Sequence, residues 1–248
     1  MKERLAAGET LFGTFLSLGS PLAAEALGLA GFDWLLVDLE HGGGHESELL
    51  GQVLGARAAG VHALARVESA ERSRTARVLD LGVEGVMCPQ VSSGAAAADW
   101  AEALHYAPGG NRGIALYHRG ARFGTDPDAL ENARRTTLGV AQIESPGAVE
   151  EVERIAAVPG VDVVFIGPSD LTFSMGIFRQ FDSPEYRDAV SRVVAAARDA
   201  GKTAGIFLGS PGLIPQALAD GFRMIALGSD ATLLMAGAKA ALAKRPGA

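Results

Sequence analysis

Two acids and a histidine close one of the most apolar segments of the sequence. The run FDWLLV, residues 32–37, leads into Asp38, Glu40 and His41, and three glycines follow. Carboxylate and imidazole groups at the end of a buried strand are suited to proton transfer, because imidazole changes its charge near neutral pH. A lone histidine is more often structural, but this combination at a strand end favours a catalytic role for His41.

Polar side chains follow several later apolar runs as well. They are Arg66, Gln90, Gln142, Glu144, Ser169 and Asp170. Each has a structural alternative, because Arg66 is suited to pairing with Glu40 and a carboxylate before a helix often caps it. For Glu144 and Asp170, neighbouring serines already offer that cap. So many polar groups at the ends of apolar strands would be costly to bury without a ligand or a metal ion. Their number therefore indicates a functional site.

The pair Glu144 and Asp170 indicates the kind of metal. Two carboxylates without cysteine, and with few histidines nearby, suit a hard cation such as Mg²⁺ or Mn²⁺ that keeps several waters, and do not suit a structural Zn²⁺ site. The positions of the lysines disfavour a covalent mechanism through a Schiff base. Lys202 precedes a strand and the other three lie near the chain ends, so none is placed to form a Schiff base with a substrate carbonyl.

These side chains need elements that bring them together. Eight short apolar runs alternate with helical patterns: residues 13–18, 32–40, 61–67, 85–91, 137–144, 161–167, 203–209 and 224–229. Uniformly apolar runs are typical of parallel strands covered on both faces. In a barrel of such strands, chemistry collects at the C-terminal strand ends, which is where the polar residues fall.

Helix boundaries are marked by residue type. Ser-Pro pairs beginning at residues 20, 145, 183 and 210 place a capping hydroxyl before a proline at the first helical position. Gly31, Gly201 and Gly221 fall where helices should end. Eight strand–helix units without a break in composition predict one (β/α)8 TIM barrel over residues 1–248. The alternative is an open doubly wound sheet, but no GxGxxG follows the first strand. The Gly- and Arg-rich segment 105–124 is too long for a simple connection and is typical of a functional or disordered loop.

Composition excludes several classes of function. The net charge of -7 disfavours nucleic acid as a partner. Cys88 is the single cysteine, so an intramolecular disulfide is excluded and a reducing, cytoplasmic location is expected. No signal peptide or membrane-spanning run is expected from the apolar pattern.

Several motifs together resemble a known family. FDWLLVDLEH, the ARV around Arg66, YAPGGNRG, AQIES and FIGPSDLTFSMG are similar to segments of the HpcH/HpaI aldolases. These are class II, metal-dependent pyruvate aldolases, and they include 4-hydroxy-2-oxoheptanedioate and 2-dehydro-3-deoxyglucarate aldolases. The likeness runs from GTFLSLGSP to IALGSD. It implies a TIM barrel of the phosphoenolpyruvate/pyruvate type that cleaves a 4-hydroxy-2-oxo acid to pyruvate and a small aldehyde, with Mg²⁺, Mn²⁺ or Co²⁺ as cofactor.

The resemblance assigns binding roles to four residues. Glu144 and Asp170 would be the protein ligands of the metal. Gln142 would hydrogen-bond pyruvate. The backbone N–H groups of Ser169 and Asp170 would bind the pyruvate carboxylate, as expected at the beginning of a helix.

The resemblance also assigns the proton chemistry. Arg66 would stabilise negative charge on the ketone oxygen as it develops. His41 would be the general acid and base. A carboxylate would assist His41, and Asp38 and Asp80 are both candidates for it.

The resemblance leaves the aldehyde undefined. The sequence after His41 and the segment 114–123 depart from many relatives, and both are expected to line the aldehyde pocket. In that segment, Arg119 or Arg122 is a candidate to bind a distal carboxylate; the alternatives are exposure to solvent or a subunit interface.

Assembly into a homo-oligomer, most simply a hexamer, is also implied by the resemblance, because relatives associate through their C-terminal helices. Residues 231–243, ATLLMAGAKAALA, are nearly all apolar or small, and a helix that is apolar all round should be buried on more than one side. The alternative is an alanine-rich helix that lies lightly on its own barrel.

Three other functions compete with the aldolase. One is a lyase of malyl- or citramalyl-CoA type from the same superfamily. Another is a phosphate-binding barrel isomerase, because Gly209-Ser210 and Gly228-Ser229 lie where such sites form. The third is a non-catalytic barrel, since a fold does not prove a function.

Overall fold

Eight parallel strands close into a barrel in the computed structural model, which describes residues 1–245. The strands are β1 Leu11–Leu16, β2 Trp34–Asp38, β3 His62–Arg66, β4 Gly85–Cys88, β5 Leu138–Ile143, β6 Val163–Ile166, β7 Thr203–Leu208 and β8 Met224–Ser229. Each strand pairs with the next in chain order, and β1 pairs with β8. The predicted (β/α)8 barrel is therefore confirmed. Residues 246–248 of the predicted domain lie outside the described residues.

Helices follow the strands around the barrel. They are α1 Lys2–Ala6, α2 Pro21–Leu29, α3 Glu46–Ala58, α4 Arg72–Asp80, α5 Gly94–Glu102, α6 Ala129–Thr136, α7 Pro146–Glu150, α8 Val152–Ala156, α9 Pro168–Ser174, α10 Pro184–Asp199, α11 Ile214–Asp220 and α12 Asp230–Leu242. The serines of the four Ser-Pro pairs each accept a backbone N–H at a helix start, as predicted. The three glycines expected at helix ends all have positive φ angles. Among residues 1–245, no helix is both long and apolar enough to cross a bilayer.

Side chains alternate between the inside and the outside of the barrel. In β2, Trp34 and Leu36 belong to the cluster inside the barrel, whereas Leu35 and Val37 belong to the layer between the strands and the helices. Because the side-chain period of a strand is two residues, the next inward position in β2 is Asp38. The side chains of β2 that face into the barrel are therefore apolar up to its last residue, which is the polar Asp38.

The same alternation continues in two other strands. Leu64 belongs to the inner cluster and precedes Arg66 by two residues in β3. Val140 belongs to it and precedes Gln142 by two residues in β5. The barrel interior is therefore apolar until its C-terminal rim, where it presents a carboxylate, a guanidinium and an amide.

Several strands are shorter than the apolar pattern predicts. β4 ends at Cys88 and not at residue 91, because Gln90 adopts φ 52°, which no strand accommodates. β2 ends at Asp38, where the carboxylate begins to accept hydrogen bonds from the turn that follows. Polar interactions at the rim, which the hydropathy pattern does not describe, therefore set these ends.

The opposite end of the barrel is closed by the first helix. Leu5 of α1 packs with the inner cluster. Lys2 donates to the carbonyl oxygen of Thr137 and lies 2.9 Å from a carboxylate oxygen of Asp162. Since this end is sealed, ligands reach the barrel interior from the C-terminal rim.

Candidate active site

Arg66 and Asp38 form the centre of the site. They are register partners on the neighbouring strands β2 and β3. Arg66 Nε lies 2.9 Å from Asp38 Oδ1, and Arg66 Nη2 lies 2.7 Å from Asp38 Oδ2. Both side chains are buried. Burial opposes the charge of Arg66, but hydrogen bonding to Asp38 and the charges of Asp38 and Glu40 raise the pKa of the guanidinium. Arg66 is a fixed positive charge at the rim.

The turn after β2 carries Glu40 and His41. The backbone N–H groups of both residues donate to Oδ1 of Asp38. Glu40 Oε2 lies 2.9 Å from Arg66 Nη1 and 3.9 Å from His41 Nε2. The Glu40 carboxylate thus lies between the guanidinium and the imidazole, and the pair of Arg66 with Glu40 that the sequence suggested as a structural alternative is present. The His41 side chain is 66% exposed and is free to reach a substrate in the cavity.

Gly42 is required by the tightness of this turn. A Cβ atom at this position would overlap the carbonyl oxygen of Asp38. The glycines after His41 therefore let the chain fold back over its own strand end, which holds the imidazole beside the rim.

Glu144 is a buried carboxylate opposite this group. Its Oε2 accepts a hydrogen bond from the backbone N–H of Gln90 at 2.9 Å. Burial raises the pKa of Glu144 to about 7; the Gln90 hydrogen bond opposes the shift, and the negative charges of Asp170 and Glu40 add to it. A carboxylate in this state is stabilised by any cation that arrives next to it.

Gly167 leaves room for this carboxylate. A Cβ atom on Gly167 would lie 2.5 Å from Glu144 Oε1 and 3.0 Å from Gln142 Nε2. Gln142 is buried, and its Oε1 has no hydrogen-bond partner among the described residues. The Gln142 amide and the Glu144 carboxylate are therefore held close together at the end of β5, beside Gly167.

These donors fit a hard divalent cation. Asp170 adds a second carboxylate whose charge acts on Glu144, and oxygen ligands with retained waters are what Mg²⁺ and Mn²⁺ require. Within residues 1–245, no group of three or more histidine, cysteine, aspartate and glutamate side chains is arranged to hold a metal. The protein would thus supply two carboxylates, and substrate and water would complete the coordination.

A cavity of 260 Å³ joins the two sides of the site. It is lined by Asp38, His41, Arg66, Gln142, Ser169 and Asp170, among others. Ser169 and Asp170 lie in the first turn of α9, so their backbone N–H groups are at a helix start, as expected. Glu144 lies at this rim but does not line the cavity. Of the residues considered for the site from the sequence, Asp80, Arg119 and Arg122 lie elsewhere within one chain.

Asp80 lies elsewhere in the chain. It is the last residue of α4, and its Oδ1 lies 2.6 Å from Arg112 Nη2 and 3.2 Å from His118 Nε2. Within one chain, Asp80 therefore does not assist His41. The resemblance left Asp38 and Asp80 open as the carboxylate that assists His41. In a βα unit, however, the C-terminal end of a helix is carried to the opposite rim.

The aromatic wall of the cavity is not indicated by any motif in the sequence. Phe15 and Phe207 line it, and their ring centroids lie 5.3 Å apart in an edge-to-face arrangement. The Arg66 guanidinium lies 5.1 Å from the centre of the Phe15 ring. Both phenylalanines are apolar members of apolar strands, so only the inward alternation along β1 and β7 would have indicated them.

Comparison with known proteins agrees with this geometry. The sequence profile of the HpcH/HpaI aldolase/citrate lyase family matches residues 11–236. A hydroxypyruvate/pyruvate aldolase from Paraburkholderia phytofirmans is 38% identical over 98% of this chain and 95% of its own length. A 5-keto-4-deoxy-D-glucarate aldolase from Klebsiella pneumoniae is 36% identical over 92% of this chain and 90% of its own.

A solved structure extends the agreement to the fold. It is an HpcH/HpaI aldolase/citrate lyase family protein from Burkholderia cenocepacia, with 37% identity and a TM-score of 0.93 over 98% of this chain and 97% of the other. Profile, relatives and structure all match nearly end to end, and the named relatives are aldolases. The chain is a carbon–carbon lyase, and it belongs to the HpcH/HpaI aldolase/citrate lyase family.

Proposed function

We propose that the enzyme catalyses the reversible aldol cleavage of a 4-hydroxy-2-oxo acid to pyruvate and a small aldehyde. The observation that carries the proposal is the cavity in which Arg66 and His41 face Gln142 and Asp170. One wall offers a fixed positive charge and a titratable ring, and the other offers oxygen ligands. The wall with Arg66 and His41 suits proton transfer and charge stabilisation. The wall with Gln142 and Asp170 suits a cation that binds a 2-oxo acid.

The pyruvate part of the substrate would lie on the β5–β6 side. Its carboxylate would accept hydrogen bonds from the backbone N–H groups of Ser169 and Asp170 in the first turn of α9. Gln142, which has a free amide oxygen, would contact the same moiety. Glu144 and Asp170 would hold Mg²⁺, Mn²⁺ or Co²⁺, which would polarise the 2-oxo group when bound.

The proton step belongs to the β2–β3 side. His41 would remove the proton of the C4 hydroxyl, the C3–C4 bond would break, and its electron pair would form the enolate of pyruvate while C4 becomes the aldehyde carbonyl. Arg66 would stabilise the enolate oxygen. Protonation at C3 then releases pyruvate. Asp38 fixes Arg66 and the turn that carries His41, so within one chain it is the carboxylate that supports this group.

The aldehyde would be small. The relatives named above act, by their names, on hydroxypyruvate and pyruvate or on a keto-deoxy sugar acid. A cavity of 260 Å³ is slightly smaller than the usual range for ligand pockets, about 300–1,000 Å³, which fits pyruvate with a short polar aldehyde. His41 and Ser229 also line the cavity and would be next to the aldehyde.

We expect a homo-oligomer, in the simplest case a hexamer, in a reducing cytoplasm that suits the lone thiol of Cys88. The exposure of α12 supports assembly. Only Asp230 of this helix is buried, while Leu234, Met235 and Leu242 are 64%, 55% and 60% exposed. An apolar helix this exposed is stabilised when a second copy covers it.

Product analysis tests the reaction directly. Metal-stripped enzyme would be incubated with pyruvate and a panel of short aldehydes, with and without a terminal carboxylate, in EDTA or in Mg²⁺, Mn²⁺ or Co²⁺. We expect new carbon–carbon bonds only with a divalent metal, and no covalent adduct after borohydride. Turnover in excess EDTA, borohydride trapping of pyruvate, or cleavage of malyl-CoA without any cleavage of free hydroxy-oxo acids would each contradict the proposal.

A further inference from the structure

A second, larger cavity lies outside the sealed barrel interior, beside the N-terminal ends of β4 and β5. Its volume is 780 Å³, and its lining includes Glu84 and Thr137, the residues that immediately precede β4 and β5. The end of α3, the segment after residue 105 and α6 complete its walls. None of its lining residues belongs to the active-site cavity. The proposed aldol reaction makes no use of this space.

The charge of this cavity is opposite to that of the chain. The net charge of the whole sequence is -7, but the cavity is lined by five arginines: Arg57, Arg112, Arg119, Arg122 and Arg135. Only two acids line it, and both are engaged. Glu84 pairs with His62, and Asp126 accepts from the backbone N–H of Asp128 and from Asn132. Arg112 and Arg135 pair with acids outside the lining, Asp80 and Glu3, so the excess of positive charge rests on the other three arginines.

Three of these arginines lack a carboxylate partner. Across residues 1–245, no acid lies within 4.0 Å of Arg57, Arg119 or Arg122, although most other arginines of the chain have one. Burial and the positive charge of Arg57 lower the pKa of Arg119. Two guanidinium groups that repel each other favour binding of an anion between them.

Arg112 gives an independent indication. It is 7% exposed and lines the cavity, and its Nε is buried without a hydrogen-bond partner among the described residues. The guanidinium carbon lies 4.5 Å from the centre of the Tyr106 ring. A buried N–H without an acceptor is unfavourable, so Arg112 is a guanidinium with unused hydrogen-bonding capacity beside the cavity.

The backbone next to these arginines is also unusual. Arg122 and Phe123 have φ angles of 50° and 56°. Consecutive non-glycine residues in the left-handed region are costly, and such strain is concentrated at ligand-binding segments. This conformation places both residues in the cavity wall, so that a guanidinium and an aromatic ring face the same space.

We propose that this cavity is a binding site for a small polyanion, a metabolite that carries phosphate or several carboxylates. Guanidinium groups bind both kinds of oxyanion in a two-point geometry. The volume is within the range of small-molecule pockets, and Tyr106 and Phe123 supply an apolar surface for the carbon skeleton. The site is separate from the aldol site and does not depend on the proposed reaction.

Calorimetric titration of the full-length enzyme tests this proposal. The two probes are inorganic pyrophosphate and tricarballylate, a tricarboxylate, both in EDTA so that no metal contributes. The test variant is Arg57→Gln/Arg119→Gln. The control is Arg198→Gln, which removes an exposed arginine of α10 that pairs with Asp199. Circular dichroism checks folding, and Arg122→Gln, a change at an exposed position, serves as a second test variant if the double variant is unfolded.

We expect saturable binding of at least one probe, weakened about tenfold or more in the test variant and unchanged in the control. Binding of pyrophosphate alone would identify the ligand as a phosphate, and binding of tricarballylate alone would identify it as a polycarboxylate. The proposal is overturned if neither probe binds, if the test variant binds as the parent does, or if Arg198→Gln weakens binding to the same extent.

Discussion

The two-point contact between Arg66 and Asp38 joins adjacent strands at the depth where the barrel interior changes from apolar to polar. The two residues are register partners, and both oxygens of the carboxylate are engaged at 2.9 and 2.7 Å. The guanidinium therefore cannot rotate without loss of a buried charge-assisted pair. Its third nitrogen, Nη1, is directed toward Glu40, and the Phe15 ring lies beside it.

Arg66→Lys is expected to reduce aldol turnover by roughly two to three powers of ten. Lysine retains the positive charge but cannot form the planar two-point contact with Asp38, so the charge is no longer fixed where the enolate oxygen develops. Steady-state kinetics of pyruvate release would measure the loss. Arg198→Lys is the control and should be fully active. Full activity of Arg66→Lys would show that a positive charge stabilises the enolate oxygen without being fixed by Asp38, and would contradict the prediction.

His41→Ala is expected to bind metal and pyruvate normally and to lose roughly two to four powers of ten in turnover, as for a positioned acid and base. The imidazole lines the cavity but is too exposed to be a structural residue. Metal and pyruvate binding would be measured by calorimetry beside the rate. His45→Ala, at an exposed histidine of the same turn, is the control. Loss of metal affinity in His41→Ala would make the residue a ligand and refute the assignment.

The raised pKa of Glu144 gives a stability prediction for the metal-free enzyme. Between its ordinary pKa of 4.5 and about 7, the folded protein holds a proton that the unfolded chain has released. Stability attributable to this group should therefore fall as pH rises through that range, by about 3 kcal/mol as an upper figure. Urea unfolding in EDTA at pH 5 and pH 7.5 would measure it.

Glu144→Gln should remove that part of the pH dependence and stabilise the metal-free protein at pH 7.5, because a neutral amide replaces a buried charge. Glu185→Gln, at an exposed position at the start of α10, should leave the pH dependence unchanged. If Glu144→Gln and the parent lose stability equally between the two pH values, the carboxylate is not destabilised by burial.

Gly167→Ala is expected to weaken divalent-metal binding by an order of magnitude or more and to lower turnover with it. The added Cβ would lie 2.5 Å from Glu144 Oε1, so the carboxylate would be displaced from its position. Gly147→Ala, where a Cβ meets no atom within 4 Å, is the matched control. Titration with Mn²⁺ would report the affinities. Unchanged metal affinity in Gly167→Ala would contradict the assignment of Glu144 as a metal ligand.

The sequence was sufficient to predict the fold and most of the polar residues at the C-terminal rim of the barrel. Apolar runs located all eight strands, and Ser-Pro pairs located four helix starts, because these features act over a few neighbouring residues. Asp38, Arg66 and Gln142 were found since they end such runs. Features that depend on contacts across the barrel were not found, such as the Gln90 N–H donated to Glu144 and the clearance at Gly167. Asp38 and Asp80 were both left as candidates to assist His41, because residue type alone does not show which of two carboxylates lies near it; within one chain, Asp38 is the one beside His41.

Leu234→Glu in α12 is expected to dissociate the oligomer, since a charge would have to be buried in the contact. Light scattering would then report a mass near 25.6 kDa. This change is preferable to truncation after Ser229, because truncation also removes Asp230, which accepts hydrogen bonds from Ser17 and Leu18. Leu54→Glu, at an exposed leucine of α3, is the control. A parent enzyme that is already monomeric, or an unaffected oligomer in Leu234→Glu, would reject α12 as the interface.

The order of the strands divides the chemistry between two halves of the chain. The proton-transfer group, with Asp38, His41 and Arg66, comes entirely from β2, β3 and the turn after β2. Gln142 lies in β5, Glu144 directly follows β5, and Asp170 lies in α9. The hydrogen bond from Gln90 to Glu144 crosses the boundary between the halves. Two separately expressed fragments, divided in the segment 105–124, would each carry one part of the machinery. Recovery of turnover on mixing them would therefore report closure of the barrel itself.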